Sequence, residues 1–157
     1  MKVVCFVKRC FFIGHRDARD EVFSELLNVV QTHVDLYGVC EFIVGRYGNF
    51  DKMAAKAVKQ IKESCPGVTL TLLCPYHPAI REVRLPTGFD SSLYPFDKAV
   101  PNRLAIVRAN EEMINICDYL IAFVNHPGKS RDFLELAMKR EKRGLLQITN
   151  LGQSISE

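Results

Sequence analysis

Short runs of consecutive apolar residues recur at 8–13, 40–44, 68–74, 119–124 and 145–148, and most of the gaps between them carry apolar positions three and four apart. An unbroken apolar run of this length reads as a strand buried on both faces, and the wider spacing reads as a helix with one apolar stripe. Between 18 and 37 the stripe is Val22, Leu26, Val29, Val30, Val34 and Tyr37. From Asp51 to Cys65 it is Phe50, Ala54, Ala57, Val58 and Ile61, and Pro66-Gly67 ends it. A third helix is predicted from Pro101, a residue favoured in a first turn, with Ile106, Ala109, Met113 and Ile116 on its inner face. The fourth runs from about Arg131 to Arg143 and stops at Gly144. Its last turns carry Lys139, Arg140, Lys142 and Arg143, which complement the negative helix end better than they make a nucleic-acid patch.

Strands alternating with helices imply βαβ units and a mostly parallel sheet covered on both faces. The expectation is an α/β fold, a three-layer Rossmann-like sandwich of about five strands, in one domain spanning 1–157.

Three of the strand-to-helix turns are rich in glycine and polar groups. They are Ile13-Gly14-His15-Arg16-Asp17, then Gly45-Arg46-Tyr47-Gly48-Asn49-Phe50-Asp51, then Asn125-His126-Pro127-Gly128-Lys129-Ser130. In a parallel sheet they fall together at the carboxyl ends of the strands, where open α/β folds bind ligands. Each also opens a helix, whose free N–H groups and partial positive charge suit a phosphate or carboxylate. Singly the turns say little. Gly45 and Gly48 suit any tight turn, Asp51 is most simply a helix N-cap, and His15-Arg16 reads as an ordinary polar turn. Together they supply cations at Arg16, Arg46 and Lys129 and acceptors at Asp51 and Glu135. An arginine fork suits phosphate and a carboxylate suits ribose hydroxyls.

Residues 75–100 hold Pro75, Pro78, Pro86 and Pro95 and show no helical period. Two readings stay open. Tyr76, His77, Phe89, Tyr94 and Phe96 either stack a base or close a lid over the site, or the segment is a packed surface excursion with a short strand near Leu93-Tyr94.

Hydrophobic content of 48% and charged content of 25% are ordinary for a globular domain. The net charge of +3 is mild and interspersed, which argues against nucleic acid as a partner. No apolar run approaches a membrane span. The apolar start from Met1 to Val7 is interrupted by Lys8-Arg9 and reads as part of the first strand region, so the expected location is cytoplasmic. The six cysteines show no CxxC pair, and four lie in apolar runs, as reduced core residues do. Nothing in the residues calls for a metal or cofactor.

Phe12 to Arg16 and Val44 to Ala54 resemble the two opening motifs of the SLOG superfamily, in particular its small single-domain bacterial and phage members. Further matches are Pro75-Tyr76, Arg103 to Ile106 with Arg108 and Asn110, Asp118 to Ala122, and Glu135 within Leu134 to Ala137, so the likeness spans nearly the whole chain in order. The superfamily is Rossmann-like and includes the Lonely Guy cytokinin-activating phosphoribohydrolases and the DNA-processing protein A group. The resemblance implies a nucleotide-like ligand bound for sensing or signalling, and a homodimer. The implied ligand-binding set is Gly14, His15, Arg16, Gly45, Arg46, Gly48, Asn49, Asp51, Asn110, Gly128, Lys129 and Ser130.

The chain departs from the enzyme branch. In that branch's Pro-Gly-Gly-x-Gly-Thr-x-x-Glu motif, Pro127, Gly128 and Glu135 keep their spacing, but Lys129, Arg131 and Asp132 replace two glycines and the threonine. The helix arginine of that branch falls at Ala109, with Arg108 adjacent but about 100° away around the helix. Arg46 stands where the family has glycine. The leading expectation is therefore a binding module. The alternatives are a nucleoside-monophosphate phosphoribohydrolase using Glu135 and Arg108 as catalytic residues, and a single-stranded DNA binder.

Overall fold

Every apolar run becomes a strand, and all the strands are parallel. The computed structural model describes residues 7–152; the expectation for Met1 to Phe6, Cys5 among them, lies outside the described residues. In chain order the elements are β1 (Arg9–Gly14), α1 (Phe23–Asp35), β2 (Glu41–Val44), α2 (Asn49–Lys62), β3 (Thr69–Leu73), β4 (Ser91–Leu93), α3 (Ala105–Ile116), β5 (Tyr119–Phe123), α4 (Lys129–Lys142) and β6 (Gln147–Asn150). Short 3-10 turns at Asp20–Val22 and Asn102–Leu104 lead into α1 and α3.

The sheet order is β4-β3-β2-β1-β5-β6, a six-stranded sheet rather than one of about five. The added strand is β4, drawn from the proline-rich 75–100 segment and paired with β3 through Thr71 and Ser91. Asp90 clasps its start, accepting the Leu70 N–H at 2.8 Å and an ammonium hydrogen of Lys62. The chain builds outward from β1 to β4, then returns to lay β5 on the other side of β1. That reversal between β1 and β5 is where a parallel sheet leaves a crevice above its carboxyl edge.

Strand alternation sets the two cores. Cys10 and Phe12 of β1 face α1 and α2, with Leu26, Val30, Phe42, Phe50, Ala54 and Val58. Phe11 and Ile13 face the other way, toward Ala109, Met113, Ile114 and Ala137 of α3 and α4. A one-residue slip would exchange the two sets, and each fully buried Phe is worth about 2–3 kcal/mol, so the register is firmly specified. The inner face of α2 (Phe50, Met53, Ala54, Ala57, Val58, Ile61) follows the anticipated stripe. On α3 the stripe is turned: the buried face is Ala105, Ala109, Met113 and Ile114, and Ile116 is 39% exposed.

Cys10, Cys74 and Cys117 are buried, and Cys40 and Cys65 are partly buried; all five are free thiols. No helix is long and apolar enough to cross a membrane among the described residues.

Gly14 closes β1 directly beneath Phe50, and a Cβ added there would lie 2.3 Å from that ring. Gly14→Ala is expected to destabilise the fold by about 1–3 kcal/mol through forced displacement of Phe50. Gly67 has open space around its Cα, so Gly67→Ala should change stability by under about 1 kcal/mol. Urea midpoints of the two variants check this; equal midpoints would contradict the packing described.

Candidate functional site

Residues of the first turn are held by both of the others. The His15 N–H donates to the Phe123 carbonyl at 3.2 Å, and the Asn125 N–H donates to His15 Nε2 at 3.0 Å. Ser130 Oγ donates to the Gly14 carbonyl at 3.0 Å, which ties the start of α4 to the end of β1. From the second turn, the Asn49 N–H donates to the Arg16 carbonyl at 3.0 Å, and Asn49 Nδ2 donates to Ala18 O and Asp20 Oδ1. Gly48 lies so near Arg16 that a Cβ would sit 2.7 Å from the Arg16 Cα. Gly128 caps α4 at φ 149°, a backbone conformation that glycine alone adopts readily.

The crevice so formed is a cavity of about 320 Å³. Its floor is apolar, from Phe12, Ile13, Leu73, Ile106, Ala109 and Phe133. Its polar groups are Arg16, Arg103 and Lys129, the carboxylate of Asp51, the Asn110 amide and the Ser130 hydroxyl. Among the described residues none of the three cations forms an ion pair, so three positive charges face one carboxylate. A concave apolar pocket with a few convergent polar groups is the usual form of a small-molecule site. A larger, more open depression of about 700 Å³ lies beside Asp118, Tyr119 and Gln147, at the opposite, amino edge of the sheet.

Asp51 is not the N-cap of α2; Gly48 holds that position. Instead its Oδ2 accepts the Tyr47 N–H at 3.0 Å, closing the second turn on itself. Burial pushes its pKa up to about 6, opposed by that hydrogen bond and by the nearby Arg16 guanidinium. His15 is shifted the other way. Burial and the His126 ring, stacked on it at 3.5 Å, hold its pKa below the usual histidine value against the pull of Asp17. A neutral ring is what the Asn125 N–H needs as acceptor at Nε2.

Of the residues anticipated from the sequence, Gly14, Arg16, Gly45, Asp51, Asn110, Lys129 and Ser130 line the cavity. His15, Gly48 and Asn49 lie behind it and hold the turns together, while Gly128 sets the start of α4. Arg46 lines a neighbouring cavity. Glu135 lies outside, exposed, within 3.5 Å of Arg131 on the same helix. Arg108 points to a separate depression beside Glu111 and Glu112. Ala109 itself lines the cavity, so its small side chain leaves the space that an arginine would fill. The sequence reading did not single out Tyr47, Arg103 or Phe133 for the site. Arg103 stands in the 3-10 turn before α3, far from any glycine turn, and only the chain reversal brings it over the crevice.

The aromatics of the 75–100 segment mostly pack. Phe89 joins the first core, Phe96 the second, and Tyr94 stands edge-on to both His77 and Phe96. Two of them carry a cation over the ring: the Arg81 guanidinium lies 4.0 Å from the centre of Tyr76, and the Lys59 ammonium 5.1 Å from that of Phe89.

No protein-family model matches the chain, and no curated protein does. Among solved structures the chain is similar to DNA processing protein A from Helicobacter pylori, described for its single-stranded DNA binding mode. The two share 17% identity at a TM-score of 0.62, over 96% of this chain and 67% of that one. It is also similar to the Moco carrier protein from Chlamydomonas reinhardtii, at 16% identity and a TM-score of 0.55, over 96% of this chain and 79% of that one. At such identity the likeness is one of fold, and it is Rossmann-like in both cases.

Because the folded protein holds the Asp51 proton more tightly than the unfolded chain, this group favours folding below about pH 4 and loses that contribution as pH rises through about 6. His15 acts oppositely, its contribution present above about pH 6.5 and lost as pH falls through its lowered folded value. The difference between wild type and Asp51→Asn isolates the first group. Discounted for its partial exposure, Asp51 should cost wild type about 1–2 kcal/mol between pH 4 and 7 relative to the variant. Denaturation curves at pH 4, 5, 6 and 7 read this; a constant difference would contradict the assignment.

Proposed function

We propose that this chain is a SLOG-type domain that binds a nucleotide-like ligand in the crevice at the carboxyl edge of the sheet, as a sensor or signalling module. The observation that carries the reading is the convergence of Arg16, Arg103 and Lys129 on one cavity at the start of α4, beside a single carboxylate. The phosphate is best met by Lys129, Arg16 and the α4 N–H groups, and the ribose hydroxyls by Asp51. The base lies against the apolar floor of Ile106 and Phe133. In this reading the domain assembles as a homodimer, as the family resemblance implies.

Binding without turnover is favoured over hydrolysis. Cleaving an N-glycosidic bond needs a group that stabilises the developing ribosyl cation or protonates the leaving base. Glu135, the candidate for that role, is exposed and paired with Arg131 outside the cavity, and Ala109 stands where the enzyme branch has its arginine. Losing one such stabiliser typically costs about a hundredfold or more in rate. A single-stranded DNA reading draws on the fold shared with DNA processing protein A and on the same three cations. The mild net charge of the whole chain does not by itself weigh against it, since three cations and only one carboxylate line the crevice.

Calorimetric titration with adenosine 5′-monophosphate should give a Kd in the micromolar range, about 8 kcal/mol of binding. Arg16→Ala and Lys129→Ala should each weaken binding about tenfold, and Glu135→Gln should leave it unchanged, with no free base released. Rapid base release lost in Glu135→Gln would replace this reading by the hydrolase. Absence of binding to every nucleoside monophosphate would remove it.

A further inference from the structure

The 320 Å³ cavity is not alone at this edge. A second cavity of about 220 Å³ shares Tyr47, Leu73 and Pro75 with it as a common wall. Its far side is built from the 74–83 segment, with Arg81 and Tyr76, and its near side carries Arg46 from the second turn. Together the pair offer cations on both sides of Tyr47: Arg16, Arg103 and Lys129 in one chamber, Arg46 and Arg81 in the other.

Several observations mark the second chamber as more than a surface dimple. Among the described residues neither Arg46 nor Arg81 forms an ion pair. Both guanidinium groups lie close enough to the Tyr47 hydroxyl to favour its ionised form, although burial outweighs them and keeps its pKa above the ordinary tyrosine value. The Arg81 guanidinium already lies over the Tyr76 ring, 4.0 Å from its centre, a cation held in place by the ring. The floor is buried Leu73, Cys74 and Pro75. One carboxylate, Glu82, also lines the chamber, leaving two cations against one anion. A planar aromatic under a guanidinium, beside a second guanidinium, is a surface for a base and a phosphate together.

We infer that the site is bipartite and that its ligand is a dinucleotide-class small molecule, with one phosphate-bearing nucleoside in each chamber and the link passing over Tyr47. This rests on the nucleotide reading of the first chamber and adds to it the size and the two-ended charge of the ligand. Arg46 is central. Where a glycine would leave the second turn neutral, arginine gives the outer chamber its own anion partner.

The test compares three probes on the full chain by calorimetry: adenosine 5′-monophosphate, the 5′-phosphorylated dinucleotide pApA, and a single-stranded oligonucleotide of deoxythymidines. The expected result is pApA at least tenfold tighter than the mononucleotide. In Arg46→Ala/Arg81→Ala that advantage should vanish while mononucleotide affinity stays within twofold, which also shows that the variant is folded. Wild type binding both probes equally would overturn the bipartite site and leave the single-chamber reading standing. A variant that loses both probes alike would overturn it too. Failure of wild type to bind either adenine probe removes the nucleotide reading and this inference with it. An oligonucleotide bound more tightly than pApA, with affinity rising with its length, would overturn the small-molecule assignment in favour of a strand.

Discussion

Gly14 and Gly48 have no side chain because there is no room for one. The first lies under the Phe50 ring and the second against the backbone of Arg16. These two contacts bring the first and second turns to van der Waals distance, and hydrogen bonds from Asn49, Asn125 and Ser130 then converge on the Arg16 carbonyl, the His15 ring and the Gly14 carbonyl. Each such bond contributes only about 1 kcal/mol net. Their combined effect is geometric: three loops from three different strands become one wall. The cations can then face a common space without collapsing onto carboxylates, which suits a preorganised anion site.

Electrostatics follow from that wall. Asp51 is held in the second turn by the Tyr47 N–H, partly buried, with its proton retained to about pH 6. His15 is kept neutral behind the cavity so that it can accept from Asn125. The acid that lines the crevice and the base that braces the loops are thus tuned by the same burial, in opposite directions of charge. Near neutral pH the site holds an ionised Asp51 and a neutral His15, the combination that the hydrogen-bond network requires.

Much of this was legible in the sequence, because strand burial on two faces leaves unbroken apolar runs and because glycine turns mark the carboxyl edge. The strands, the four helices and the meeting of the three turns were anticipated. What escaped did so for identifiable reasons. The short strand near Leu93-Tyr94 was one of two readings left open; at three residues, partly exposed and set among prolines, Ser91–Leu93 leaves no periodic trace that would have decided for it or shown its pairing with β3. The inner face of α3 was turned because it is built partly of two alanines, Ala105 and Ala109, and alanine is a weak marker of burial. Arg103 reaches the crevice through the chain reversal, a tertiary fact no local spacing encodes. For Glu135, spacing alone does not tell which way a helix face points; in the folded chain it stands exposed beside Arg131.

The central claim is that the three turns form one cooperative unit around the ligand. Native-state amide hydrogen exchange at His15, Asn49 and Asn125, with and without saturating adenosine 5′-monophosphate, tests it most directly, because these N–H groups tie the first turn to the end of β5, to the second turn and to the third. The account predicts a common opening free energy for the three amides in the free protein. It also predicts that ligand slows all three by the same factor, about a hundredfold when its concentration is a hundred times Kd. Protection confined to one turn, with the other two exchanging as before, would contradict it.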